Sequence, residues 1–111
     1  MRTPSEALEC RALVRWLSRQ PELLFSHLPL GANTLTPAEA ARLKSMGVRA
    51  GVPDYLIVNK ETHEIVFIEM KRMQGGVVSA AQRNWEKALG GCMYIAYGFK
   101  DARDLVKQHL L

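Results

Sequence analysis

The sequence predicts an α/β fold, a mixed central β-sheet flanked by α-helices, and two observations lead there. Apolar residues recur at helical spacing in some segments, while β-branched and aromatic residues crowd into short runs in others. The resulting order is helix, helix, strand, strand, helix, strand, helix, which suits a sheet with helices on its faces. The whole of residues 1–111 reads as one domain, without internal repeat, low-complexity tract or linker.

The first helix is expected from Thr3 to about Arg19, with Cys10, Leu13 and Leu17 at helical spacing and Pro21 stopping it. Thr3-Pro4-Ser5-Glu6 reads as a capping box, with a hydroxyl, a proline at the first helical position and a carboxylate at the third. From Pro21 to Thr36 the chain reads as an irregular connection, with a short strand near Phe25 to Leu28. Thr36-Pro37-Ala38-Glu39 repeats the start signature, and the second helix runs to about Met46 before Gly47 ends it.

Tyr55 to Asn59 and Ile65 to Lys71 are strand-forming runs joined by a polar link of hairpin length, so they should pair antiparallel. In the second run Ile65 and Phe67 point to one face and Val66 and Ile68 to the other, which marks a central strand. Ser79 and Gln82 open a third helix that Gly90-Gly91 ends, and Cys92 to Tyr97 follows as a buried strand. Asp101 is expected to cap a last helix whose stripe is Ala102, Leu105, Val106, His109 and Leu110.

Fifteen Lys and Arg against eleven Asp and Glu leave a net charge of +4, which favours an anionic partner, nucleic acid before a membrane surface. No run approaches the roughly 20 apolar residues of a membrane span, and the N-terminus lacks the apolar core of a secretory signal, so a cytoplasmic protein is expected. Cys10 and Cys92 lack zinc-site spacing and read as small packing residues; His27, His63 and His109 are scattered singly, and Trp16, Trp85 and Tyr94 read as core. No phosphate-binding glycine loop is present, and no organic cofactor is expected.

The chemistry concentrates at Asp54, Glu69 and Lys71. Glu69 and Lys71 lie two residues apart on a central strand, so both leave the sheet on one face, where an unpaired charge costs several kcal/mol. Asp54 stands just before the partner strand, where the hairpin can bring it beside Glu69. Converging carboxylates suit Mg2+ or Mn2+, which offsets their repulsion, while Lys71 orients water or stabilises developing charge. A plain Glu69–Lys71 ion pair, with Asp54 capping a turn, is the competing account.

Gly51-Val52-Pro53-Asp54, Ile68-Glu69-Met70-Lys71, the Gly75-Gly76 loop and Ser79-Ala80-Ala81-Gln82, in this order after a helix bearing glutamate, resemble the VRR-NUC branch of the PD-(D/E)xK nucleases. The likeness spans nearly the whole chain, and its stand-alone phage- and bacterial-type members are the best match. It implies a restriction-endonuclease-like core in which Asp54, Glu69 and the Met70 carbonyl hold the metal and Lys71 serves the attacking water. Gln82 would help position the site, and a capping role explains that residue equally well. The family's first-helix glutamate maps best to Glu6, with Glu9 as competitor, because each shares an apolar stripe.

Arg42, Lys44, Arg49, Arg72 and Arg83, with Ser79 at a helix start, surround these residues in sequence and are the candidate DNA contacts. The function this implies is a Mg2+- or Mn2+-dependent DNA endonuclease, selective for branched, flapped or Holliday-junction DNA of the kind met in DNA repair. A homodimer would present two sites to two strands. The alternative is a non-cleaving DNA-binding module that keeps the nuclease fold.

Overall fold

The structure is a computed structural model that describes residues 4–29 and 36–111. Its elements are α1 (Glu6–Leu17), β1 (Leu23–His27), α2 (Pro37–Ser45), β2 (Tyr55–Asn59), β3 (Ile65–Lys71), α3 (Ala80–Ala88), β4 (Met93–Tyr97) and α4 (Phe99–Leu110). Among the described residues the strands form one mixed sheet in the order β1-β2-β3-β4. β2 pairs antiparallel with both β1 and β3, whereas β3 and β4 are parallel. Parallel neighbours need a crossover longer than a hairpin, and α3 supplies it.

Alternation along the strands sets the core. Tyr55 and Ile57 of β2 lie across from Ile68 and Val66 of β3, and all four are buried. With Met70 and Ala96 they meet Leu13 and Leu17 of α1 and Ala102, Val106 and Leu110 of α4. Burying the Leu, Ile, Val and Met side chains among these contributes roughly 1.5 to 3 kcal/mol each, which holds the two helices on the sheet. Residues of β3 on the other parity, Ile65, Phe67, Glu69 and Lys71, share the second face. There Ile65 is 46% exposed, so the strand is apolar on that face only towards its middle.

The hairpin forms because Asn59 organises its own turn. Its backbone exchanges bonds with His63 and Glu64, its side-chain oxygen accepts from the Glu61 and Thr62 N–H groups, and its amide donates to the Leu110 carbonyl at 2.7 Å. The α2 and α3 caps fall where the sequence places them, at Thr36 and Ser79. No described helix is long and apolar enough to cross a membrane.

Three boundaries differ from expectation. Thr3 lies outside the described residues, as do residues 30–35 of the connection before Thr36, and the observed cap of α1 is Ser5, whose hydroxyl accepts from the Leu8 N–H. β1 begins two residues early, at Leu23, because Leu23 pairs with Asn59 and is buried. Asp101 does not cap α4: the N-cap is Gly98, and the Asp101 carboxylate accepts from the Tyr97 N–H at 2.8 Å.

The missing α4 cap comes from another helix. The buried carboxylate of Glu9 accepts the Phe99 N–H, placing negative charge at the positive end of α4. A Cβ at Gly98, where φ is +93°, would sit 2.6 Å from Met73 Cγ and 3.3 Å from that carboxylate, so only glycine fits. Glu9→Ala is therefore expected to lower unfolding free energy in urea by about 1 to 3 kcal/mol, with a smaller loss for Glu9→Gln. A loss below a few tenths would remove Glu9 as a cap.

Candidate active site

The hairpin register puts the first two carboxylates together. Tyr55 pairs with Ile68, so one step further along both strands Asp54 faces Glu69, on the same side of the sheet. Both sides of Asp54 are anchored. Its carbonyl accepts from the Leu28 N–H and lies 3.0 Å from His27 Nδ1, while its Oδ2 accepts from the Met70 N–H at 2.8 Å. The Asp54 side chain thus takes the place of a strand partner where the β2–β3 pairing ends. A residue's N–H and C=O leave an extended strand on the same edge, so the Met70 carbonyl also faces the Asp54 edge.

Glu6, in the first turn of α1, supplies a third carboxylate. Glu6, Asp54 and Glu69 each offer an oxygen, and these oxygens lie within 4.8 Å of one another. Glu9, three residues on, is occupied with Phe99 at the start of α4. The structure therefore places Glu6 with the acidic pair and Glu9 away from it, a choice that periodicity leaves open.

Two further groups bind Glu69. Lys71 Nζ lies 3.5 Å from Glu69 Oε2, and Gln82 Nε2 donates to the same oxygen at 3.0 Å. Gln82 also completes the capping box of α3, accepting the Ser79 N–H through Oε1 while its backbone N–H bonds the Ser79 hydroxyl. An amide has both an acceptor and a donor end, so the capping and positioning accounts of Gln82 hold together.

Crowding shows in the acidities. Burial, with Asp54 alongside, pushes Glu69 up to about 7 against the pull of Lys71. Burial likewise raises Asp54, and it raises Glu6 with help from Asp54. The Cys10 thiol, packed near the cluster and hydrogen-bonded with Tyr55, is pushed up to about 11 by burial and is no nucleophile at neutral pH.

The cluster opens into a cleft of about 930 Å³. Lys44, Arg49, Ser79 and His27 line it along with the carboxylates, Lys71 and Gln82. Arg72 and Arg83 are not among its lining residues, and the Arg83 guanidinium pairs with Glu86 at 2.8 Å. Arg42 lies with its guanidinium 3.7 Å from Met46 Sδ, on exposed surface.

A family model, the VRR-NUC domain, matches residues 5–99. The chain belongs to the VRR-NUC family. It is a nuclease-type family, with DNA as the implied substrate. A solved structure described as a "VRR_NUC domain protein" superposes on this VRR-NUC chain with a TM-score of 0.73 at 22% identity, covering 99% of this chain and 91% of the other. That likeness shows the shared fold, the mixed sheet flanked by helices. No curated protein matches the sequence.

His27 and Trp85 brace the candidate site without a site signal in the sequence, and Gly51, part of the Gly51-Val52-Pro53-Asp54 motif, has a contact that the motif does not reveal. His27 stands alone in the sequence, yet β1 brings it to Asp54 across a gap of 27 positions. Trp85 was assigned to the core, but its indole N–H donates to the Ala50 carbonyl at 3.0 Å, tying α3 to the turn that carries Asp54. Gly51 touches the same helix: with φ at +88°, its Cβ would come within 2.5 Å of the Ala81 carbonyl carbon. No local signal marks Trp85, whereas the glycine before Val52-Pro53-Asp54 is a turn signal whose contact partner is hidden.

Gly51→Ala is expected to cost more than about 2 kcal/mol in chemical unfolding, since backbone strain and overlap add, and Trp85→Phe about 1 kcal/mol. In chelator, Glu69 also makes stability pH-dependent. It binds its proton more tightly folded, at about 7, than at the ordinary 4.5 of the unfolded chain. Its contribution is complete below 4.5 and is lost as pH rises through 7. Urea unfolding of the metal-free protein across that window should slope downward, and Glu69→Gln should flatten the slope; parallel curves would refute this.

Proposed function

We propose that this chain is a Mg2+- or Mn2+-dependent endonuclease that hydrolyses DNA phosphodiester bonds. The carrying observation is the gathering of Glu6, Asp54 and Glu69 oxygens within 4.8 Å, with an ammonium 3.5 Å from one of them, in a cleft that Lys44 and Arg49 also line. Burial raises the pKa of all three carboxyls, and the neighbouring Asp54 adds to the rise at Glu6 and Glu69, so the charged form of the cluster is costly without a cation. A hard divalent cation fits such an all-oxygen set better than zinc, which prefers nitrogen and sulfur. Glu6, Asp54, Glu69 and the Met70 carbonyl would hold it. When bound, the ion supplies positive charge that grips a phosphate oxygen and lowers the pKa of water.

The chain's own residues divide the remaining work. Asp54 keeps one oxygen on the Met70 N–H, which fixes the carboxylate's orientation. Gln82 and Lys71 hold Glu69, and Lys71, nearly buried, carries a positive charge to orient the attacking water and stabilise charge developing at phosphorus. Lys44 and Arg49, with Ser79 at the α3 cap, contact phosphates along the cleft, while Arg72 and Arg83 act outside it. Such contacts give affinity that weakens with salt and ignores sequence.

Selectivity for branched, flapped or junction DNA, action as a two-fold dimer and a cytoplasmic setting complete the proposal. With Mn2+, labelled flap and four-way junction DNA should be cut faster than linear duplex, and chelator should stop all cutting. Equal cutting of the three removes the structure preference, and no cutting of any removes the nuclease. Asp54→Ala and Lys71→Ala should each lower the cleavage rate by about 100-fold or more while DNA binding persists. Unchanged rates would leave only a DNA-binding module.

A further inference from the structure

Beside the acidic cluster the cleft is apolar. Leu43 of α2, Val48 and Val52 of the following turn, and Leu28 beyond β1 line it together, each half-buried. α2 has no buried residue, and Leu43 is its one half-buried position. A nine-residue helix is marginal unless it buries an apolar face, and among the described residues no element buries this side of α2. Each of two apolar wall residues is followed by a cation lining the same cleft: Lys44 after Leu43, and Arg49 after Val48. Apolar wall and cation in alternation, beside a phosphate-cutting centre, match one ligand chemistry, a flat base joined to an anionic phosphate.

We propose that this wall is a subsite for an unpaired nucleobase of the strand being cut, next to the scissile phosphate. The inference rests on the nuclease reading above and adds to it what is recognised. In a duplex the faces of the bases are covered by their stacked neighbours, so only a nucleotide freed from its partner can offer a face to a cleft wall. The cleft volume, about 930 Å³, lies in the range of roughly 300 to 1,000 Å³ that encloses small organic ligands. The four wall residues Leu28, Leu43, Val48 and Val52 are aliphatic, so their contact with the base is indifferent to which base it is, and the His27 imidazole lines the same cleft beside them.

The test uses wild-type protein with Mn2+ on one DNA whose cut position has been mapped. The nucleotide flanking the cut is then made paired, unpaired, or unpaired and abasic. The unpaired substrate should be cut roughly tenfold faster than the paired one, and the abasic substitution should abolish the gain. Leu43→Ala, at a position whose loss leaves the core intact, should slow the base-bearing substrate and leave the abasic one unchanged, so that the two losses do not add. Equal rates on abasic and base-bearing unpaired DNA overturn the subsite, as does Leu43→Ala slowing both alike. Failure of the wild-type protein to cut any of the three overturns the nuclease reading and the subsite with it.

Discussion

Like charges gathered in a poorly solvated corner set the terms for everything around them. Three carboxylate groups within 4.8 Å cost folding free energy, and the chain tolerates them with Asp54 and Glu69 each held by firm partners. Asp54 is fixed by backbone on both sides, from Leu28 and from Met70. Glu69 sits on the central strand with an amide and an ammonium bonded to one of its oxygens. The hairpin register, the turn at Gly51 and the cap of α3 all keep these acids from relaxing apart. On the proposed reading such a site is preorganised for a cation, since the unfavourable arrangement is made before an ion arrives.

Helix α1 shows how structure and chemistry share one element. Glu9 engages the start of α4 and fixes the rotation of α1 about its axis, with Leu13 and Leu17 packed below it. Glu6, almost a full turn earlier, is then carried to the end of the sheet where Asp54 and Glu69 meet. Gln82 does for α3 what Glu9 does for α4, except that its other end reaches the site. Caps therefore act as registration pins between the helices and the acidic cluster.

The net charge of +4 and the acidic floor of the cleft have opposite signs, and each has its place. Lys44 and Arg49 line the same cleft as the carboxylates, so cationic walls stand beside an acidic floor. Under the proposed function, placing the two signs in one cleft makes cation and nucleic acid mutually supporting ligands.

Period-two alternation and helix-start chemistry are local, so the sequence alone determined the strand runs Tyr55–Asn59 and Ile65–Lys71, the caps at Thr36 and Ser79, and the shared face of Glu69 and Lys71. The nearness of Asp54 to Glu69 was legible too, because a short hairpin allows few registers. Only the tertiary structure decided between Glu6 and Glu9, since residues three apart on a helix lie on nearly the same face and the docking of α1 on α4 separates them by rotation. The same holds for the cap of α4, the tie from Trp85 to Ala50 and the apolar wall of the cleft. Each joins residues distant in sequence, and a contact of that kind leaves no periodic trace in either partner.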